Sequence, residues 1–236
     1  MAGDTDTRKE RNWLSESRAQ KAINNLRRNR INVWYVPNST EALSTILSMI
    51  PYDATVARGD SITLDQIGII PALLERGRNQ VTDPFELDAN GKLVHKLEHT
   101  RDMHLKAFTA DIYLAGCNAV TLDGKLVNTD GTGNRVAPMI FGPKKVILVV
   151  GVNKIVEDAE EGRKRIREIC APLDVKRYLI KQDQSQYADL PCAKTGFCAD
   201  CKHEYRFCCY TVIIEAVAIT ERDRINVILI GEDLGY

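Results

Sequence analysis

The sequence lacks an excess of charge of either sign. Its 32 basic residues balance 32 acidic ones. Without a basic surplus there is no electrostatic footprint for nucleic acid or for an anionic membrane surface. The chain also lacks a long apolar run. The longest, Val146 to Val152, covers seven residues and includes Gly151, far short of the ~20 needed to span a bilayer. No apolar signal core stands at the N-terminus, so the expected compartment is the cytoplasm and no membrane partner is expected. A Gly-x-Ser-x-Gly elbow is missing, which leaves a hydrolase triad without an anchor. There is no internal repeat and no low-complexity linker.

What is there is an ordinary globular composition. Of 236 residues, 44% are hydrophobic and 27% charged, enough for a proper core. The expectation is a polar tail over residues 1–12 and a single α/β domain over 13–236. Residues 14–31 have helical spacing through Leu14, Ala22, Ile23 and Leu26. A strand ends at Pro37, and a helix follows with Ser39 as its candidate N-cap. Residues 61–77 look helical in two pieces broken near Pro71. A helix then a buried strand are expected from His95, and Asp123-Gly124 marks a hairpin. The stretch Lys144–Lys154 is continuously apolar, as a central strand covered on both faces is. An amphipathic helix follows to Cys170, and two strand-like runs, YTVIIEAVAIT and RINVILIGEDLGY, close the chain. Alternating strands and helices predict an α/β fold with a mainly parallel sheet.

The thiols are concentrated. Five of the seven cysteines fall between Cys192 and Cys209, in a loop spanning 191–209. Cytosolic thiols are mostly kept reduced, so such a cluster points to metal or redox chemistry more than to disulfides. Cys192, Cys198, Cys201 and Cys208 form the expected ligand set, with Cys209 or His203 as substitutes. Four thiolates suit tetrahedral zinc or an iron–sulfur cluster, and the spacing fits neither ferredoxin run. A redox Cys-x-x-Cys pair, a disulfide clasp and free thiols remain open. Cys117 and Cys170 lie in apolar surroundings, as small core residues do.

Two loops carry anion-binding character. Gly131 and Gly133 follow a strand, Asn134 could cap a short helix, and Arg135 could clamp a carboxylate or phosphate. The spacing is neither a Rossmann fingerprint nor a P-loop, and a tight turn needing two positive-φ glycines is the plain alternative. Earlier, Gly59 ends a strand and Ser61 and Thr63 follow, where open α/β sheets bind ligands; simple capping by Asp60 or Ser61 is the alternative. His95 and His99 match a His-x-x-Glu-His zinc pattern, but a third ligand is missing, and a solvated helix face accounts for them.

The stretch GCNAVTLDGKLVNTDGTGNRVAPMIFGPKKVILVVGVNKIV resembles the core of the LUD-domain family, the lactate-utilisation proteins. RGDSITLDQIG resembles that family's earlier motif, and PCAKTGFCADC is similar to a Cys-rich subset. The resemblance implies a three-layer α/β sandwich related to the phosphosugar-isomerase and CoA-transferase group. It implies a small anionic substrate and a link to 2-hydroxy-acid metabolism beside an iron–sulfur redox protein. Asn118, Asp130, Gly131, Thr132, Gly133, Asn134 and Arg135 match the central motif, and Gly59, Ser61 and Thr63 the earlier one. No general base stands out. A non-catalytic accessory protein docking on a redox partner is the competing reading, a sugar-phosphate or acyl-CoA enzyme a third, and a homo-oligomer is left open.

Overall fold

The computed structural model describes residues 5–96, 100–182 and 184–236. In chain order the first elements are α1 (Arg8–Arg28), β1 (Asn32–Val36), α2 (Ser39–Met49), β2 (Thr55–Arg58), α3 (Ile62–Ile67), α4 (Ile69–Arg76) and β3 (Gln80–Thr82). Then come α5 (Arg101–Lys106), β4 (Ile112–Gly116), β5 (Ala119–Thr121), β6 (Leu126–Asp130), α6 (Val136–Ile140), β7 (Lys145–Gly151) and β8 (Ile155–Val156). The last are α7 (Ala159–Arg165), α8 (Ala171–Lys181), α9 (Pro191–Thr195), β9 (Tyr210–Ile214) and β10 (Ile225–Ile230).

Six strands make one wholly parallel sheet in the order β1-β10-β7-β4-β2-β3. The apolar run predicted as a central strand is β7, inside this sheet. Its side chains alternate between two cores, as the two-residue period of a strand requires. Val146, Leu148 and Val150 pack with Ala22, Ile23 and Leu26 of α1. Ile147 and Val149 pack with Ile46 of α2, Leu64 of α3 and Leu73 of α4. Helices therefore cover both faces, and the expected three-layer α/β sandwich is the observed one. Among the described residues no helix is long and apolar enough to cross a membrane.

A second sheet, ordered β8-β5-β6-β9, lies on the α1 side. The Asp123-Gly124 hairpin joins β5 to β6 as predicted. The first closing run is a strand only over Tyr210–Ile214, and it pairs antiparallel with β6 rather than joining the parallel sheet. Behind this sheet, Ala119 and Val127 pack on Ile166 and Cys170. Those two residues bound a π-helical turn, Ile166–Cys170, between α7 and α8. Pro172 explains the turn: it has no N–H for the regular ladder, which must widen locally.

Local expectations shift in four places. Helix α1 starts at Arg8, so it runs back into the polar stretch expected to be a tail. Asn38, not Ser39, caps α2, its side chain accepting from Glu41 N at 2.9 Å. The break between α3 and α4 falls at Gly68, whose φ of 70° suits glycine, while Pro71 sits in the first turn of α4 where its missing N–H costs nothing. The helix expected from His95 begins only at Arg101; His99 lies outside the described residues, so the paired-histidine face is not formed within them.

The hairpin docks on α1 through backbone. Gly124 has φ 87°, and a Cβ there would meet Asn25 and sit 2.6 Å from Leu26 N. Asn25 and Asn29 donate to Leu122 O and Gly124 O, both at 2.8 Å. Gly124→Ala is expected to destabilise the protein by about 1–3 kcal/mol, the cost of a strained φ, before the clash is relieved. Urea unfolding of the variant beside the wild type measures it; an unchanged midpoint would contradict this docking.

Candidate functional site

The carboxyl ends of β2, β4 and β7 open into a cavity of about 770 Å³. The two loops singled out from sequence meet there, although β6 belongs to the second sheet. Ser61, Thr63, Asn118 and the whole Asp130–Arg135 turn line it, and Gly59 does not. Gly59 lies behind the wall: a Cβ would stand 2.5 Å from Tyr113 Oη and 2.8 Å from Arg135 Cγ.

The Gly loop is turned inward. Gly131 N donates to Asp130 Oδ1 at 2.9 Å, and Arg135 N and Val136 N donate to Asp130 Oδ2 at 2.8 and 3.2 Å. The amides expected to face a ligand thus face the loop's own carboxylate. Gly133 alone of the two glycines has positive φ, at 85°. Asn134 does not cap α6; its side chain accepts from Thr132 Oγ1 and meets the His104 ring. Arg135 is buried and its guanidinium is committed. Nη1 donates to Asn128 Oδ1 at 3.0 Å, and Nη2 to Asn118 Oδ1 at 2.8 Å and Thr129 O at 2.7 Å. Both terminal nitrogens of the expected clamp are thus bonded to the framework, at the end of β4, at Asn118 and on β6.

The early loop keeps its plain role in part: Ser61 Oγ accepts from Leu64 N at 3.4 Å and caps α3. Asp60 does not cap. It pairs with Arg177 and accepts from the Tyr178 hydroxyl at 3.0 Å. Asp174 shares the same arginine at 2.7 Å and accepts from the Tyr236 hydroxyl at 3.0 Å. Burial opposes the charge on Asp60, but Arg177, with Arg58 and Tyr178, outweighs it and holds the carboxyl below its usual range. Burial pushes Asp174 up despite Arg177.

Asp174, Arg177 and Lys154 on the cavity wall escaped sequence reasoning, and His104, on sequence spacing too far round its helix to serve as a third zinc ligand, lines the wall as well. Burial lowers His104 against the pull of Asp130. Lys154 Nζ donates to Thr63 Oγ1 at 2.9 Å, and burial, then Arg165, lowers its pKa to about 8. Lys154 follows the end of β7 closely, where the strand-end rule would have found it.

The cysteine segment lies across this cavity as a strap. Cys192 sits on α9, which Gly196 ends in a left-handed conformation. Asp200, with φ 45°, folds Cys198-x-x-Cys201 into a knuckle, and its N–H points to Cys198 Sγ at 3.5 Å. Phe207 stacks edge-on against Tyr178 and Tyr187, with centroids at 5.2 and 4.6 Å. Cys209 N donates to Asp130 O at 3.0 Å, tying the strap to the Gly loop.

Cys192, Cys198, Cys201 and Cys208 line a second cavity of about 110 Å³, and neither Cys209 nor His203 does. Cys208 lines both cavities. Burial, then the nearby Cys198 and Cys192 sulfurs, pushes the Cys208 thiol up to about 12. Arg163, Arg167 and Arg206 stand around the same space. Among the described residues no three His, Cys, Asp or Glu side chains stand close enough to hold one metal ion. All seven cysteines are free, so no disulfide clasp forms, and Cys117 and Cys170 are buried as expected.

A profile of the LUD domain matches residues 19–230. The chain belongs to the LUD-domain family. No curated protein matches. The fold is similar to the crystal structure of a DUF162 family protein from Deinococcus radiodurans, with a TM-score of 0.50, 12% identity, and coverage of 92% of this chain and 98% of that one. At that identity the likeness speaks to fold. The LUD match takes in both sheets and the whole strap, so the cysteines lie within the span of the domain.

Within this LUD domain the Asp60–Arg177 pair fixes the early loop to α8. Asp60 has its folded pKa below the unfolded value of about 3.9, so its stabilisation is fully present above that pH and is lost as pH falls through the folded value. Asp60→Asn leaves Arg177 half-paired and is expected to cost on the order of 3–5 kcal/mol at pH 7. Unfolding followed from pH 7 to pH 3 should show the gap between variant and wild type closing in acid; a constant gap would count against the pairing.

Proposed function

We propose that this LUD-domain protein binds a small carboxylate of the 2-hydroxy-acid class, to which lactate belongs, in the larger cavity. It carries an iron–sulfur cluster on Cys192, Cys198, Cys201 and Cys208 in the wall of that cavity. The observation that carries the proposal is the position of Cys208, which borders both spaces.

The thiols fit a cluster better than a single zinc ion. Zinc draws four sulfurs to about 2.3 Å, which sets them about 3.8 Å apart in a tetrahedron. No such tight group exists among the described residues, yet four sulfurs surround one space of about 110 Å³. A cubane of iron and sulfide places its four cysteine sulfurs farther apart than one zinc ion does. Arg163, Arg167 and Arg206 offset the negative charge of four thiolates, and the Asp200 N–H supplies a hydrogen bond to sulfur of the kind that tunes cluster potentials. When bound, a cluster supplies one-electron redox chemistry. The chain's own residues hold the substrate anion and keep it beside Cys208.

A second reading, a cluster-bearing accessory protein, is favoured by one observation. Phe197 is 77% exposed and adjoins the exposed Cys198, a surface on which a redox partner could dock.

Anaerobic purification should yield about four irons with sulfide per chain and a broad visible absorption that bleaches on reduction. Cys198→Ser with Cys201→Ser should remove most of the iron and leave the α/β sheet folded by circular dichroism. Colourless, iron-free protein ends the cluster reading, and one zinc per chain replaces it with a structural metal. L-lactate or pyruvate should perturb the spectrum of the reduced protein; an unperturbed spectrum favours the accessory role.

A further inference from the structure

Lys154 is 4% exposed on the floor of the larger cavity. An ammonium has three donors, and only Thr63 Oγ1 takes one. No carboxylate is among its hydrogen-bond or ion-pair partners in the described residues. The charged and titratable groups that bear most on it are Arg165 from α7, Cys117 after β4, Cys170 from the π turn and Arg135 before α6, and the C-terminal segment beside it carries Tyr236, whose hydroxyl donates to Asp174. Arg165 is equally without an acid: its Nη1 donates to Asn118 O at 2.8 Å and to Cys170 Sγ at 2.9 Å. Two other arginines near the cavity are different. Arg58 pairs with Asp65 at 2.7 Å, and Arg177 with Asp60 and Asp174. Three buried cations here thus lack an acid: Arg135, whose guanidinium is taken up by neutral oxygens of the framework, Arg165, which does not line the cavity, and Lys154, which lines it with donors to spare. Burying a cation with no counter-charge is costly, and such a group is stable where an anion completes it. The fold holds this spot tightly: a Cβ on Gly235 would stand 2.5 Å from Thr63 Oγ1 and 2.8 Å from Lys154 Nζ.

We infer that Lys154 Nζ, steadied by Thr63, is the charge partner of the cavity's ligand, and that the ligand presents a carboxylate rather than a phosphate. This rests on the anion-binding half of the proposed function and deepens it. The choice of carboxylate follows from the Gly loop. Phosphate sites of the nest type direct several loop amides at the anion, whereas here Gly131, Arg135 and Val136 direct theirs at Asp130. Arg135 is likewise committed to Asn118, Asn128 and Thr129. What remains is one lysine with free donors, a match for a singly charged head.

Calorimetric titration of the full chain with pyruvate, L-lactate and inorganic phosphate, from pH 6 to pH 9, tests this. The wild type should bind at least one of the two acids more tightly than phosphate. Lys154→Met should weaken that binding about tenfold or more, the scale of a charge-assisted hydrogen bond, and Lys154→Arg should recover part of it. Thr63→Val should weaken it by a smaller factor. Wild-type affinity should fall as pH rises through about 8, where Lys154 loses its proton. If the Met variant does not fold, the wild-type pH profile decides, and a flat profile overturns the assignment. A folded Met variant that binds the acid like wild type overturns Lys154 as the partner and leaves the pocket reading standing. Phosphate bound more tightly than either acid overturns the carboxylate assignment alone. A wild type that binds none of the three overturns both this inference and the anion-binding reading beneath it.

Discussion

The buried guanidinium of Arg135 is the constraint on which both cavities depend. It reaches Gly116 O at the end of β4 and Asn128 and Thr129 on β6, so it joins the parallel sheet to the second sheet. Through Asn118 Oδ1 it fixes a side chain that in turn accepts from Thr129 N at 2.9 Å. Tyr113 donates to its backbone carbonyl at 3.2 Å, and Gly59 lets β2 approach its side chain. Remove this hub and the Gly loop loses its orientation. Asp130 then no longer presents the carbonyl that receives Cys209 N, and the strap loses its tie to the cavity.

The parallel sheet was legible because burial on both faces leaves a continuous apolar run, and Lys144–Lys154 is such a run. The hairpin was legible because Asp-Gly has a narrow conformational meaning. The four cysteines were legible as a set by density and by the Cys-x-x-Cys step, and the same four line one space while Cys209 turns away to Arg206 O. The roles of Arg135 and Asp130 were not legible. Sequence places a cation and a carboxylate beside glycines, but only the fold decides whether their partners are a ligand or their own loop. Lys154 was missed for the converse reason. It stands in an apolar context that suggests packing, and its significance is the absence of an acid, which is a property of tertiary neighbours.

Charges around the larger cavity divide into two kinds. Arg58 with Asp65 and Asp83, and Arg177 with Asp60 and Asp174, are closed sets that position the early loop and α8. Removing one partner exposes the other to burial, so these sets stabilise structure and offer little to a ligand. Lys154, Arg165 and Arg135 have no acid partner; Lys154 donates to Thr63, Arg165 to Asn118 O, and Arg135 to framework oxygens. Asp60 and Asp174 are held on Arg177, and Asp130 is held on the amides of its own loop. Lys154 is thus the buried cation of the cavity lining that keeps donors free, although the whole chain carries no net charge.

The wall between the two cavities is thin, and its composition ties it to the helix defect behind it. Ile166 and Ala171 border both spaces, as do Thr129, Arg206, Phe207 and Cys208. Ile166 opens the π turn, and Ala171 follows it directly. A regular α-helical path through Pro172 would set these two side chains at a different angle to the strap. The turn also places Cys170 against Arg165, which braces Asn118 O from behind. Helix irregularity, strap and cavity wall are thus one packed unit. Cys208 of the strap and Lys154 after β7 thereby line one and the same larger cavity.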